Sequence, residues 1–408
     1  MVLLLAHLSQ AADWPQFEGP NRNGISPETG ILRQWPDGGP KVLWTSMVGV
    51  GYGGPAIKDG KIYLLDRPDD KQDVLRCLSL ETGEELWGTA YDAPGKLSHD
   101  GSRSVPTVDD RHVYTVGPFA DLYCFNLETH QPVWHKNLYK EFGLKQPTWG
   151  SAQSAVLYKD LIVVAPLSPT VGLVAFHKAT GEEAWRSPNL PGQLGYVTVA
   201  TMTLDGVEQF VIISAKGVVA GVAPDDGKIL WTYDGWECQI PIPSPTFAGG
   251  NRVFITGGYK SGSTMLEVTR VDGTFNVKSL FKLDGYGGQL QQPIVHEGHI
   301  YMDNCENGRM DGVLCLTLDG TPKWRTRDID GGPRYDRGNL LFADGVIFAI
   351  DKQGALRMFE ANSEAYKELG SADLLGGNEI WAPMALSQGR LVIRDQSKIM
   401  CVEVARQP

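Results

Sequence analysis

The residues of this 408-residue chain best suited to chemistry lie in short segments roughly 40–50 residues apart. They read Tyr52-Gly53-Gly54, Ser102-Arg103-Ser104, Trp149-Gly150-Ser151-Ala152-Gln153, Gly195-Tyr196, Gln239-Ile240-Pro241, Gln289 to Gln292, Tyr335-Asp336-Arg337 and Glu379-Ile380-Trp381. Aromatic side chains offer flat apolar faces, while guanidinium and amide groups donate hydrogen bonds to oxyanions and hydroxyls. Together they suit a planar anionic or a polyol ligand. The expected ligand-binding residues are Tyr52, Arg103, Trp149, Gln153, Tyr196, Gln239, Gln289, Gln292, Arg337 and Trp381. An alternative stays open, in which the same side chains only plug a channel by bonding one another. No residue is assigned a catalytic role and no metal ligands are expected.

Motifs with a defined chemistry are few. Gly49-Val50-Gly51-Tyr52-Gly53-Gly54 matches G-x-G-x-x-G, but Pro55 and a strand pattern follow where a dinucleotide site needs a helix. His296-Glu297-Gly298-His299 has the wrong spacing for a zinc-protease helix and reads as a turn. Asp303, Glu306 and Asp311 lack the alternation of a calcium loop and read as a solvated hairpin. No G-x-S-x-G, P-loop or Cys-x-x-Cys-His occurs, which argues against the corresponding hydrolases, NTPases and c-type haem proteins.

A repeat must position the ligand residues. Its clearest copy is Leu78-Ser79-Leu80-Glu81-Thr82-Gly83-Glu84-Glu85-Leu86-Trp87: a strand, a glycine turn, then tryptophan. Further copies end at Trp134, Trp185, Trp231 and Trp324, and each follows another alternating strand after a short turn such as Asp59-Gly60. Each unit is a four-stranded antiparallel meander, and the period indicates propeller blades. Trp44, Trp87, Trp134, Trp185, Trp231, Phe281, Trp324 and a degenerate copy near Tyr366 mark eight outer strands. The expected fold is therefore an all-β, eight-bladed propeller. Lys41 to Val48 should complete the last blade, whose other three strands lie in Met384 to Val404, and so close the ring. Seven blades remain an alternative if 244–285 merges with a neighbour. In this arrangement the ligand segments precede the innermost strands and converge on one channel mouth.

Composition agrees. Glycine supplies 48 residues, well above the roughly 7% average, and charged residues are 21%. The net charge of −11, without a basic cluster, excludes a nucleic-acid partner held through phosphates. No apolar run is long enough to span a membrane as a helix. Cys77, Cys124, Cys315 and Cys401 share one register position in separate blades and read as packing thiols; only Cys238 and Cys305 fall outside it. Residues 1–12 resemble a truncated signal peptide, an apolar run ending in Ser9-Gln10-Ala11-Ala12. Residues 13–40 would be an N-terminal extension and 41–408 one propeller domain. An exported monomer, periplasmic or secreted, is the expectation.

The Thr-Gly-x-x-x-Trp repeats resemble the tryptophan-docking repeats of pyrroloquinoline quinone (PQQ) propellers. The opening Trp14-Pro15-Gln16-Phe17-x-Gly19-Pro20-Asn21-Arg22-x-Gly24 is similar to that of exported PQQ-binding-like propellers, often labelled polyvinyl-alcohol-dehydrogenase-like. Gly181-Glu182-x-x-Trp185, Lys216-Gly217-Val218-Val219 and Arg394-Asp395-Gln396 extend the likeness over most of the chain. The resemblance implies a propeller and, for the true dehydrogenases, a quinone stacked on tryptophan above calcium and beside adjacent cysteines. This chain has no adjacent cysteines.

Two readings follow. In the preferred one, a non-catalytic exported propeller binds a partner protein, glycan or small ligand at the channel mouth and needs no cofactor. In the alternative, a PQQ-dependent dehydrogenase with Ca²⁺ oxidises an alcohol or sugar.

Overall fold

The computed structural model describes residues 12–305, 310–377 and 379–406, so the segment 1–12 expected to be a signal peptide lies outside the described residues except for Ala12. Short turns fold the repeats locally. Between the first two strands of a blade, Asp59-Gly60, Asp205-Gly206, Asp344-Gly345 and Gln388-Gly389 all have positive φ at both residues. That is the type I′ geometry whose twist matches a two-residue hairpin, and it explains the Asp-Gly signal.

The strands assemble into eight antiparallel sheets. Blades 1 to 7 span residues 56–92, 107–137, 156–186, 200–233, 246–283, 294–325 and 339–373. Segment 244–285 thus contains a complete blade of its own. The eighth blade combines Ala385–Ser387, Arg390–Arg394 and Lys398–Glu403 with Val42–Met47, which pairs Trp44 with Cys401 and Met47 with Lys398. The N-terminal strand closes the ring, as its pattern implied.

In every blade the pairing of third and fourth strands slips by a residue beside the marker position, as between Cys77 and Leu78 opposite Trp87. In several blades the marker ring then reaches the neighbouring blade, although Trp231 Nε1 donates to Gln209 Oε1 within its own. Trp44 Nε1 donates to Leu80 O, Trp134 Nε1 to Lys178 O, and Trp185 Nε1 to Pro224 O, at 2.9–3.0 Å. The turn glycines Gly83, Gly181 and Gly227 lie against these rings, so close that a Cβ would overlap them. In blade 7 the position paired with Met358 is Gly370. The degenerate copy expected near Tyr366 is thus the outer strand Glu368–Asp373 with glycine at the marker position, and Tyr366 itself sits in the loop before it, against Trp324 and Phe359. Trp35, 6% exposed, lies over Gly370 and supplies from the N-terminal segment the indole that blade 7 lacks.

The same segment is a strap across the face opposite the mouth. Trp14 and Ile57 exchange backbone hydrogen bonds in blade 1, and Pro15 O accepts from Val108 N in blade 2. Arg22 donates to Leu157 O and Thr201 Oγ1 in blades 3 and 4, and its carbonyl accepts from Gln292 Nε2 beside blade 6. Ile25–Ser26 lies parallel to Asn339–Ala343 in blade 7, and Glu28 accepts from the Gly389 amide in blade 8. The four register cysteines are buried, and all six thiols are free. Among the described residues no helix is long and apolar enough to cross a membrane.

Candidate functional site

Each first strand begins at the mouth, so the segment before it must end there. The register brings four of these segments into one ladder. Tyr52 and Trp381 stack with centroids 5.1 Å apart and planes 27° apart. The Arg103 guanidinium lies over the Tyr52 ring at 5.6 Å, and that of Arg337 over Trp381 at 5.5 Å. Across the mouth, Trp149 and Tyr196 meet with centroids 5.6 Å apart.

These side chains surround a cavity of about 300 Å³, lined also by Gln289 and Gln291. Seven expected ligand residues (Tyr52, Arg103, Trp149, Tyr196, Gln289, Arg337 and Trp381) lie in its wall. Three do not. Gln153 bonds both ways with the Ala165 backbone inside its own blade. Gln239 is exposed away from the cavity, and Gln292 is turned to the strap carbonyl of Arg22. The spacing of these glutamines placed them in the correct loops but could not tell which way each side chain points.

Sequence reasoning missed several wall residues. Phe17 comes up from the strap, Tyr259 from a loop between second and third strands, and His99 and Asn339 from positions beside predicted ones. Only His99 and Asn339 were within reach of the segment rule; nothing in the local pattern aims Phe17 at a channel.

Among the described residues no Asp or Glu lines the cavity. Glu379 stands behind Tyr52: it accepts the phenol hydrogen bond at 2.7 Å and lies 3.5 Å from His99 Nε2. Burial and this carboxylate both push the Tyr52 phenol above its ordinary range, so it stays a donor. Arg103 donates only to the carbonyls of Gly101 and His99, and burial lowers its pKa. Arg337 Nε donates to Gln289 Oε1. The wall is aromatic, positively charged and rich in donors, as a planar anion or polyol requires.

The expected solvated hairpin at Asp303 and Asp311 is instead buried, at 1% and 2% exposure. Asp311 is paired with Arg327, while both oxygens of Asp303 lack hydrogen-bond partners. Burial and the nearby Asp336 raise the Asp303 pKa well above the usual range. Glu306 lies outside the described residues.

PQQ with Ca²⁺ makes two separate demands. The two guanidiniums suit the carboxylates of such a ring, whereas Trp381 is already stacked on Tyr52 and carries Arg337 over its ring. Calcium needs clustered oxygen donors, and among the described residues no group of three His, Cys, Asp or Glu side chains is arranged to hold a metal ion. The acidic donor set therefore does not fit the metal.

Comparisons with known proteins agree with this architecture. The fold superposes on BamB from Moraxella catarrhalis with a TM-score of 0.63 and 13% identity, covering 90% of this chain and 98% of that one. Quinohemoprotein alcohol dehydrogenase from Comamonas testosteroni gives 0.67 and 15%, covering 97% and 81%. A europium-containing methanol dehydrogenase gives 0.68 and 12%, covering 94% and 89%. At such identities the likeness is one of fold. No curated protein matches the sequence. Residues 70–326, well over half of the chain, match the PQQ-repeat family described as outer membrane protein assembly factor BamB, and the chain belongs to that family.

Proposed function

We propose that this protein is a non-catalytic, exported binding propeller whose mouth cavity holds a small anionic or polyol ligand, or the glycan or side-chain end of a larger partner. The observation that carries this reading is the ladder Arg103–Tyr52–Trp381–Arg337, two cations stacked on aromatic rings in a cavity with no acid among its described lining residues. A cup of this kind holds a planar or hydroxylated ligand by stacking and charge-assisted contacts, and His99 is the one titratable imidazole among its described lining residues. The family description names an assembly factor of the outer membrane, which supports export and a partner-binding role. We expect the protein to act as a monomer.

The second reading, a PQQ-dependent alcohol or sugar dehydrogenase, draws support from the folds of the two dehydrogenases and from the aromatic, cationic wall. One titration separates the two. Purified protein is mixed with PQQ and Ca²⁺, absorbance is followed, and dye reduction is measured with a panel of alcohols and sugars. In parallel, acidic and neutral oligosaccharides are titrated by calorimetry. Ligand binding without turnover supports the first reading; PQQ-dependent dye reduction by the wild type overturns it.

A further inference from the structure

The strap is not hydrogen-bonded to every blade. Among the described residues it makes no hydrogen bond to blade 5, and there a second cavity of about 630 Å³ opens on the face opposite the mouth. Its volume falls in the range of small-molecule sites. Two local features create it. Blade 5 joins its first strands, Thr246–Phe247 and Arg252–Gly257, by four residues rather than two, and this turn carries Gly249 and Gly250. No atom lies within 4 Å of where a Cβ on either glycine would be, so the space above them is empty. On the other side the strap crosses as Asn21, Arg22 and Asn23.

The charge of this cavity is unlike that of the whole chain. The protein carries a net −11, yet no Asp or Glu appears among the described lining residues, while Arg22 and Arg252 both do. The Arg22 guanidinium is spent on Gln16, Thr201 and Leu157. Arg252 differs. The acid opposite it across the sheet is Glu267, which is bridged instead to Lys278 at 2.7 Å. No described residue pairs with or accepts from the Arg252 guanidinium, which is half-buried in the wall. Around it stand the amide of Asn21 and, at the rim, the Phe247 ring, 43% exposed.

We propose that this far-face cavity is a second binding site, for a hydroxylated ligand bearing an oxyanion: an acidic sugar or a sugar phosphate. The unpaired guanidinium takes the oxyanion in a charge-assisted, bidentate contact, strap amides meet the hydroxyls, and Phe247 covers an apolar sugar face. The site is separate from the mouth, since the two cavities share no lining residue: Phe17 and Gln291 line one, Arg22 and Gln292 the other.

Calorimetric titration of the whole protein at low salt with D-glucuronate, glucose 6-phosphate and glucose tests it. At least one acidic ligand should bind more tightly than glucose, and the better of the two identifies the oxyanion. Arg252→Gln should weaken that binding ten-fold or more and leave the melting temperature unchanged, because the guanidinium has no partner to lose. Arg103→Ala, in the mouth, should leave it unaffected, which separates a failure here from a failure of the mouth reading. Phe247→Ala should weaken the same binding several-fold and serves as a second variant. The proposal is overturned if neither acidic ligand binds, if glucose binds equally well, or if Arg252→Gln binds as the parent does.

Discussion

At the scale of single residues, the mouth separates binding from stability. Arg103 meets only backbone carbonyls of its own loop and the Tyr52 face, and Trp149 touches Tyr196 across the cavity. Arg103→Ala should weaken ligand binding by ten-fold or more through loss of a charge-assisted contact, and Trp149→Ala through loss of a stacking face. Neither should shift the melting temperature much; a large fall in melting temperature with binding intact would instead favour the plug reading. Glu18 belongs to stability. It is 3% exposed, and burial pushes its carboxyl from the ordinary 4.5 up to about 8, with the Gln291 hydrogen bond opposing. The native chain thus keeps a proton that the unfolded chain releases. That contribution is fully present below about pH 4.5 and is lost as pH rises toward 8. Asp73, pushed up to about 6 by burial, adds the same sign over a lower window. Glu18→Gln, which keeps a side-chain partner for Gln291, should flatten the fall in melting temperature between pH 5 and 8. An unchanged slope would refute the assignment.

At the scale of elements, the seams between blades carry the packing. Cys77, Cys124, Cys315 and Cys401 each sit opposite a marker tryptophan, and burial pushes their thiols up to about 12. Each should tolerate Ala at a cost of about 1–2 kcal/mol or less, since the change removes a small group from a shared seam. Denaturant midpoints measure the cost, and a disulfide between any two of them in folded protein would contradict their register. Blade 7 uses a borrowed ring. Trp35→Ala should cost about 3–5 kcal/mol, as for other buried tryptophans. Gly370→Ala would bring a Cβ within 2.9 Å of that ring. Its cost should largely vanish in the Trp35→Ala background, and a double-mutant cycle showing simple additivity would reject the contact.

For the molecule as a whole, the N-terminal segment has three tasks: it closes the ring with Val42–Met47, fills the seam at Gly370, and lines the mouth cavity with Phe17. Deleting residues 13–48 should therefore expose the Lys398–Glu403 edge and open the channel from below. Aggregation, followed by light scattering, is the expected outcome. A soluble deletion variant melting like the parent would show that closure by this strand is dispensable.

The eightfold architecture was legible because its signals are local and repeated. A type I′ turn needs two residues with positive φ, and the spacing from turn to tryptophan follows from strand length. Ring closure was legible for the same reason, since an unpaired strand at one end matched a three-stranded remainder at the other. The mouth segments were legible as loops, and seven of their side chains do reach the cavity. What local pattern could not supply was the direction of a side chain across a gap between distant segments. Gln153 is drawn back to its own backbone, and Gln292 is held by a strap carbonyl 270 residues away in sequence. The strap itself has no periodicity: its path is decided by backbone hydrogen bonds offered by the inner strands of other blades. Those partners exist only once the ring has formed, so Phe17, Trp35 and the cavity at Arg252 belong to the tertiary structure alone.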